Sequence, residues 1–143
     1  MGRQGRPEDD SKGFEAVNLA PSFLWVFLGG GLGAMARFSL SILLRPSSLT
    51  QVPLPNLTAN LLGCFLIGLL ARVFEIHAPG RPVWQFFLLT GILGGFTTFS
   101  SFGLETLRLY ENRAYAQILI YVGVSVVGGL VLVWVGSELG RTH

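Results

Sequence analysis

The run Thr90-Gly91-Ile92-Leu93-Gly94-Gly95-Phe96-Thr97-Thr98-Phe99-Ser100-Ser101-Phe102-Gly103 collects the residue types best able to handle an ion. Three glycines within five residues, then two threonines and two serines, make a poor helix interior in an otherwise apolar stretch. A break there frees backbone carbonyls, which membrane depth tolerates only when they are buried or line a cavity. Freed carbonyls are hard oxygen ligands and suit a small cation such as Na+. Beyond the break, Thr98, Ser100 and Ser101 offer hydroxyl donors. Phe99 and Phe102, at i,i+3, share one helical face. Phenylalanine is most often packing, yet these two are interleaved with hydroxyls instead of aliphatics. The rim of an aromatic ring is electropositive and its face negative. Two rims flanked by O–H and N–H donors make a dehydrated site for a small hard anion and a poor one for a cation.

Other polar residues stand out because apolar surroundings make them costly. Asn60, in PNLTANLLGCFLIG, brings two N–H donors and one acceptor, so it belongs at a helix interface or on a wet path. Arg37 lies about one turn from the end of its run, where it either snorkels to the interface or lines an anion-attracting vestibule. Glu105 and Arg108 stand at i,i+3 and are placed to pair as helix neighbours.

The elements that must hold these residues are read from hydropathy. Half of the 143 residues are apolar, only 13% are charged, and mean hydropathy is +0.56. Four apolar runs, 23–44, 57–74, 83–107 and 115–135, are each long enough to cross about 30 Å of hydrocarbon at about 1.5 Å per residue. Proline- and polar-marked connections separate them. The expected fold is all-α and polytopic: four transmembrane helices, the third broken mid-membrane. Trp25, Trp84, Tyr115 and Trp134 fall near the run ends, as interfacial anchors do.

Composition also excludes several classes. The net charge of +2 is scattered, without the clustered basic patch that nucleic acid requires. The single cysteine, Cys64, sits in an apolar run between Gly63 and Phe65 and reads as a small packing residue. There is no internal disulfide, no spacing of zinc ligands, and no nucleophile–base constellation of an enzyme. Residues 1–20 are polar, with seven charges ahead of the first long apolar run. They read as a flexible tail before a membrane domain at 21–138, and not as a secretory signal.

Four spans put Arg3, Arg6, Lys12, Arg72, Arg81 and Arg141 on one side and Arg45, Arg108 and Arg113 on the other. Without the tail the sides are even, so the positive-inside rule gives the membrane core no strong orientation. Insertion both ways is expected, with the tail as a bias. Small residues at i,i+4 (Gly29/Gly33, Gly30/Ala34, Ala59/Gly63, Gly91/Gly95) let helix backbones approach closely. They are expected to pack against a second copy, with packing inside one subunit as the plainer alternative.

Taken together, Gly94-Gly95-Phe96-Thr97-Thr98-Phe99-Ser100-Ser101-Phe102 with Glu105 resembles the signature of the small fluoride channels of the Fluc/CrcB family. Gly29-Gly30-Gly31-Leu32-Gly33-Ala34-Met35-Ala36-Arg37-Phe38 and Thr58-Ala59-Asn60-Leu61-Leu62-Gly63-Cys64-Phe65 match in the expected order. The resemblance implies a dual-topology antiparallel homodimer in the cell membrane, with two narrow fluoride pores that passively export the ion and protect against its toxicity. It places Asn60, Phe99, Ser100, Ser101 and Phe102 along the pore. Ser125 is added as a fourth-span contributor by approximate spacing. Arg37 falls at the vestibule and Glu105 near the pore. The carbonyls of Gly94 and Thr97, one set from each subunit, would hold a central structural Na+. Two other classes compete. A small multidrug exporter would want a buried carboxylate in the first run, where Arg37 is the only charge. A non-transporting assembly subunit would have no use for a polar, broken third span.

Overall fold

The structure, a computed structural model, describes residues 19–44, 52–78 and 82–142. The polar tail expected at 1–20 falls, apart from its last two residues, outside the described residues. Among those described, four helical segments are long and apolar enough to cross a membrane: Pro21–Leu43, Leu54–His77, Val83–Glu111 and Tyr115–Arg141. The secondary structure of the described residues is all-helical, and the chain folds as a multi-pass membrane protein.

The first span is one helix, α1 (Leu19–Leu43), and the second is α2 (Leu54–His77), with a proline in its first turn where the missing N–H costs nothing. The third span is composite. A short α3 (Pro82–Gln85) runs into a π-helical stretch, Phe86–Leu93, and then α4 (Gly94–Phe96). Two extended residues, Thr97 (φ −87°, ψ 156°) and Thr98 (φ −153°, ψ 124°), interrupt the helix before α5 (Phe99–Glu111). The fourth span is α6 (Tyr115–Gly123), a π-helical stretch at Val124–Gly128, and α7 (Gly129–Arg141). Each expected run thus maps onto one observed span, most of which extend beyond it by a turn or more at one or both ends.

Within the segment expected to break, the interruption falls at the threonines, and the glycines before them stay helical. Gly94 keeps helical dihedrals (φ −63°, ψ −36°). The glycines serve close approach instead. A Cβ on Gly91 would lie 2.9 Å from the Cα of Gly29, and one on Gly95 would collide with the carbonyl of Gly30. A Cβ on Gly29 would strike the Phe87 carbonyl, and one on Gly33 that of Ile92. α1 therefore lies backbone to backbone on the first half of the third span. The second and fourth spans pair in the same way, Gly68 against the Val133 carbonyl and Gly136 against that of Phe65. Ala59 is fully buried, and Gly63 faces the Thr97 methyl. The Gly29/Gly33, Gly91/Gly95 and Ala59/Gly63 spacings are thus used within the chain, the plainer of the two expectations. Van der Waals contact between bare backbones is what holds helices together where lipid is as apolar as leucine.

Beyond the break, α5 turns back on α6 through Asn112–Ala114, with Arg113 in the left-handed region at φ 57°. Tyr121, Leu109 and Ala114 are buried there, with Phe102, Leu57 and Ile118 packed around them. Elsewhere large apolar side chains face outward on all four spans, among them Phe27, Leu62, Leu104 and Leu119, as a lipid-immersed chain requires. At one end, Trp25 and Trp84 both set a ring edge-on to Phe87, with centroids 5.6 and 6.4 Å apart.

Candidate functional site

The chemistry of the site begins with the interrupted helix. Extending Thr97 and Thr98 strands backbone groups that a continuous helix would pair, and in a membrane each needs a new partner. Asn60, on α2, supplies two. Its side-chain carbonyl accepts from the Thr98 N–H at 2.9 Å, and its amide N–H donates to the Thr98 carbonyl at 3.2 Å. Thr98 then caps α5: its Oγ1 accepts from the Ser101 N–H at 3.3 Å. Thr97 turns its hydroxyl back, donating to the Leu93 carbonyl at 2.9 Å.

These exchanges of partner have a specific result at two carbonyls. In an unbroken helix Gly94 would accept from the Thr98 N–H, and Thr97 from the Ser101 N–H. Both donors are spent elsewhere, on Asn60 and on the Thr98 hydroxyl. Gly94 and Thr97 are thereby left with carbonyl oxygens available to a ligand. Gly95 differs, because its carbonyl accepts from Arg37 Nε at 3.5 Å. Arg37 is half-buried, its side chain directed to the C-terminal end of α4.

An open cleft of about 360 Å³ runs beside the break, between the second, third and fourth spans. Asn60, Cys64, Gly94, Thr97, Thr98, Phe99, Phe102 and Ser125 line it with a few aliphatic residues, and no charged side chain does so among the described residues. The Phe99 and Phe102 rings lie with centroids 5.5 Å apart, tilted by 36°. Phe99 is 84% exposed, projecting from the surface of the chain, whereas Phe102 is half-buried against the Tyr121 ring at 5.2 Å. Ser125 belongs to the π-helical stretch of the fourth span. Its Oγ is buried and has no hydrogen-bond partner among the described residues. Local π-helical turns recur at functional sites because they re-aim a side chain out of register.

Most of the candidates drawn from the sequence meet here: Asn60, Gly94, Thr97, Phe99, Phe102 and Ser125. Ser100 and Ser101 sit in the first turn of α5 with their hydroxyls toward Thr98 Oγ1, at 3.0 and 3.3 Å, and do not line the cleft. Cys64 packs beside Gly129, as a small residue should, but it also lines the cleft. The expected Glu105–Arg108 pair does not form. The Glu105 carboxylate accepts instead from Asn56 Nδ2 and, at 2.7 Å, from the Tyr121 hydroxyl, while Arg108 is exposed. Two better donors within reach of a half-buried carboxylate displace a solvent-side neighbour. Asn56 and Tyr121 escaped sequence reasoning, although each carries a helical-spacing signal: Asn56 is one turn before Asn60, and Tyr121 one turn before Ser125.

Residues 24–137 match the CrcB-like protein family (Camphor Resistance). The chain belongs to that family. It is similar to a fluoride-specific ion channel of Methylobacillus flagellatus, 46% identical over 115 residues that cover 80% of this chain and 90% of that one. A fluoride-specific ion channel of Paracoccus denitrificans is 46% identical, over 84% of this chain and 94% of its own. One of Acidobacterium capsulatum is 38% identical over 83% and 95%. The matched region runs from the first turn of the first span to the last turns of the fourth and contains the whole cleft, so the break and its Asn60 brace lie inside the portion shared with the family.

Proposed function

We propose that this chain is a fluoride channel of the cell membrane that lets the ion leave down its gradient and so protects against fluoride. The observation that carries the reading is the neutral cleft beside the braced break, in a chain whose relatives bear the name fluoride-specific ion channel. Fluoride holds its water tightly, and a selective path must replace that shell with donors while letting the ion go again. The Asn60 amide, the Ser125 hydroxyl and the rims of Phe99 and Phe102 are donors of this kind. None carries a full positive charge that would trap the ion. Ser100 and Ser101 extend the set of hydroxyls at the start of α5. Arg37 supplies positive potential toward the mouth, and Glu105 stands one turn beyond Phe102.

Two copies in antiparallel arrangement complete the path. The exposed Phe99 and the open side of the cleft support this, since a single chain leaves one wall of the route missing. A structural Na+ would sit where the copies meet, held by the Gly94 and Thr97 carbonyls of each. The donor set fits: these are the carbonyls whose helical N–H partners are engaged elsewhere, and hard, neutral oxygens suit a hard monovalent cation. Bound Na+ would supply a fixed positive charge and tie the two copies together.

Purified protein in liposomes loaded with fluoride or chloride provides the test, with efflux read by ion-selective electrodes. Fluoride released at least tenfold faster than chloride is the expected result. Equal release of both anions, or none, defeats the reading.

A further inference from the structure

Asn56 and Asn60 are four residues apart on α2 and therefore share one face, directed at α5. They tie that half-helix at two heights. Asn60 holds its start through Thr98, and Asn56 holds it two turns later through Glu105. The second tie is shared by three spans. One Glu105 oxygen accepts from the Asn56 amide on the second span, and the other accepts from the Tyr121 hydroxyl on the fourth. Tyr121 is 0% exposed, and its ring backs Phe102 at 5.2 Å. A chain of contacts thus runs from Asn56 through Glu105 and Tyr121 to a ring that lines the cleft.

We infer that Asn56 is a positioning residue for conduction, one that acts through Glu105 and never touches the ion. A half-buried carboxylate at membrane depth is held only by donors. With both oxygens engaged, Glu105 fixes the Tyr121 hydroxyl, and the Tyr121 ring fixes Phe102. Without the Asn56 donor, one carboxylate oxygen is orphaned beside an anion route. Glu105 then turns to other donors, and the backing of Phe102 loosens. The inference rests on the fluoride-channel reading, because its readout is fluoride flux.

The discriminating experiment reverses the polarity of the tie. Asn56→Asp keeps the shape but sets an acceptor against an acceptor, and fluoride efflux from liposomes is expected to fall at least tenfold. Adding Glu105→Gln restores a donor on the opposite side: the side-chain amide introduced on α5 donates to the new carboxylate on α2, and efflux is expected to return to within threefold of the parent. A side chain that merely fills space gives no such rescue. If N56D conducts like the parent, or if the N56D/E105Q protein conducts no better than N56D, the inference fails. Should N56D not be recovered folded, the folded, conducting double variant supports the tie, and Asn56→Ala with and without Glu105→Gln takes its place. An N56A protein with parental efflux likewise overturns it. The parent, assayed in the same vesicles, separates the two failures: no flux there defeats the channel reading itself, whereas parental flux with an indifferent Asn56 defeats only this inference.

Discussion

Asn60 grips Thr98 by both of its backbone groups, accepting from the N–H at 2.9 Å and donating to the carbonyl at 3.2 Å. A side-chain amide has the same donor–acceptor geometry as a peptide unit, so it can stand in for the helical bonds that the break removes. The interruption of the third span is therefore stabilised from the second span, and the glycines before it stay helical. This explains how an extended pair of residues persists inside a hydrocarbon layer.

Replacing Asn60 by Leu keeps the bulk and removes both bonds. Two backbone groups are then orphaned, at about 1–3 kcal/mol each. Since about 1.4 kcal/mol is a factor of ten in an equilibrium constant, the native break should be depopulated at least about tenfold. Fluoride efflux from liposomes is expected to fall by that much or more. Asn60→Asp retains the acceptor for the Thr98 N–H but sets a carboxylate against the Thr98 carbonyl and on the anion route, so it should rescue no flux. An Asn60→Leu protein with parental efflux would show that the brace is dispensable.

The order and number of the spans were legible from hydropathy, because four charge-poor runs have no alternative resting place than lipid. The candidate residues were legible because polar groups in such runs are conspicuous. What hydropathy could not say was how each would be spent. Asn60 read as either an interhelical tie or a pore donor, and the structure uses it as a tie that also lines the cleft. The break was legible only as a segment, Gly91, Gly94 and Gly95 with the threonines and serines that follow, and the structure confines it to Thr97 and Thr98 without using the glycines. In the fold two of those glycines are instead points of backbone contact with α1, a long-range use that no local propensity encodes. Glu105 read as a partner of Arg108 because only neighbours along the sequence are visible there, whereas Asn56 and Tyr121 are 49 and 16 residues away.

Phe99 and Phe102 are the next test. Isoleucine at either position preserves apolar volume and removes the electropositive rim. Each substitution should slow fluoride efflux about tenfold or more, which corresponds to about 1.36 kcal/mol added to the barrier. Phe102→Ile should also cost stability of the chain itself, since that ring packs on Tyr121, whereas Phe99, exposed on the chain, can cost stability only through a contact with the proposed second copy. Thermal unfolding in detergent separates the two effects. Undiminished flux in both variants would reduce the rings to packing.

Removal of Na+ bears on the Gly94 and Thr97 carbonyls. A ligand that binds only the native assembly stabilises it by about 2.7 kcal/mol when present at about a hundred times its dissociation constant. Exchanging Na+ for a bulky organic cation should therefore lower the thermal midpoint of the purified assembly. Restoring Na+ should recover it, and K+ should do so less well. A midpoint indifferent to the cation would leave those carbonyls without the role proposed for them.

Gly33 and Gly31 make a matched pair on α1 for the packing itself. A methyl on Gly33 would be driven into the Ile92 carbonyl, backbone against backbone, with nothing flexible to yield. A methyl on Gly31 would meet open space, with nothing within 4 Å. Overpacking of this kind costs about 1–3 kcal/mol, whereas alanine in place of an unconstrained helical glycine gains about 0.5–1 kcal/mol. Gly33→Ala should accordingly lower the thermal midpoint, and Gly31→Ala should hold or raise it. The contrast also bears on the proposed second copy. If the face that carries Gly31 were pressed against another backbone, Gly31→Ala would destabilise the assembly as severely as Gly33→Ala does. A neutral or stabilising Gly31→Ala would instead leave that face to lipid and direct the search for the proposed dimer contact toward the exposed Phe99.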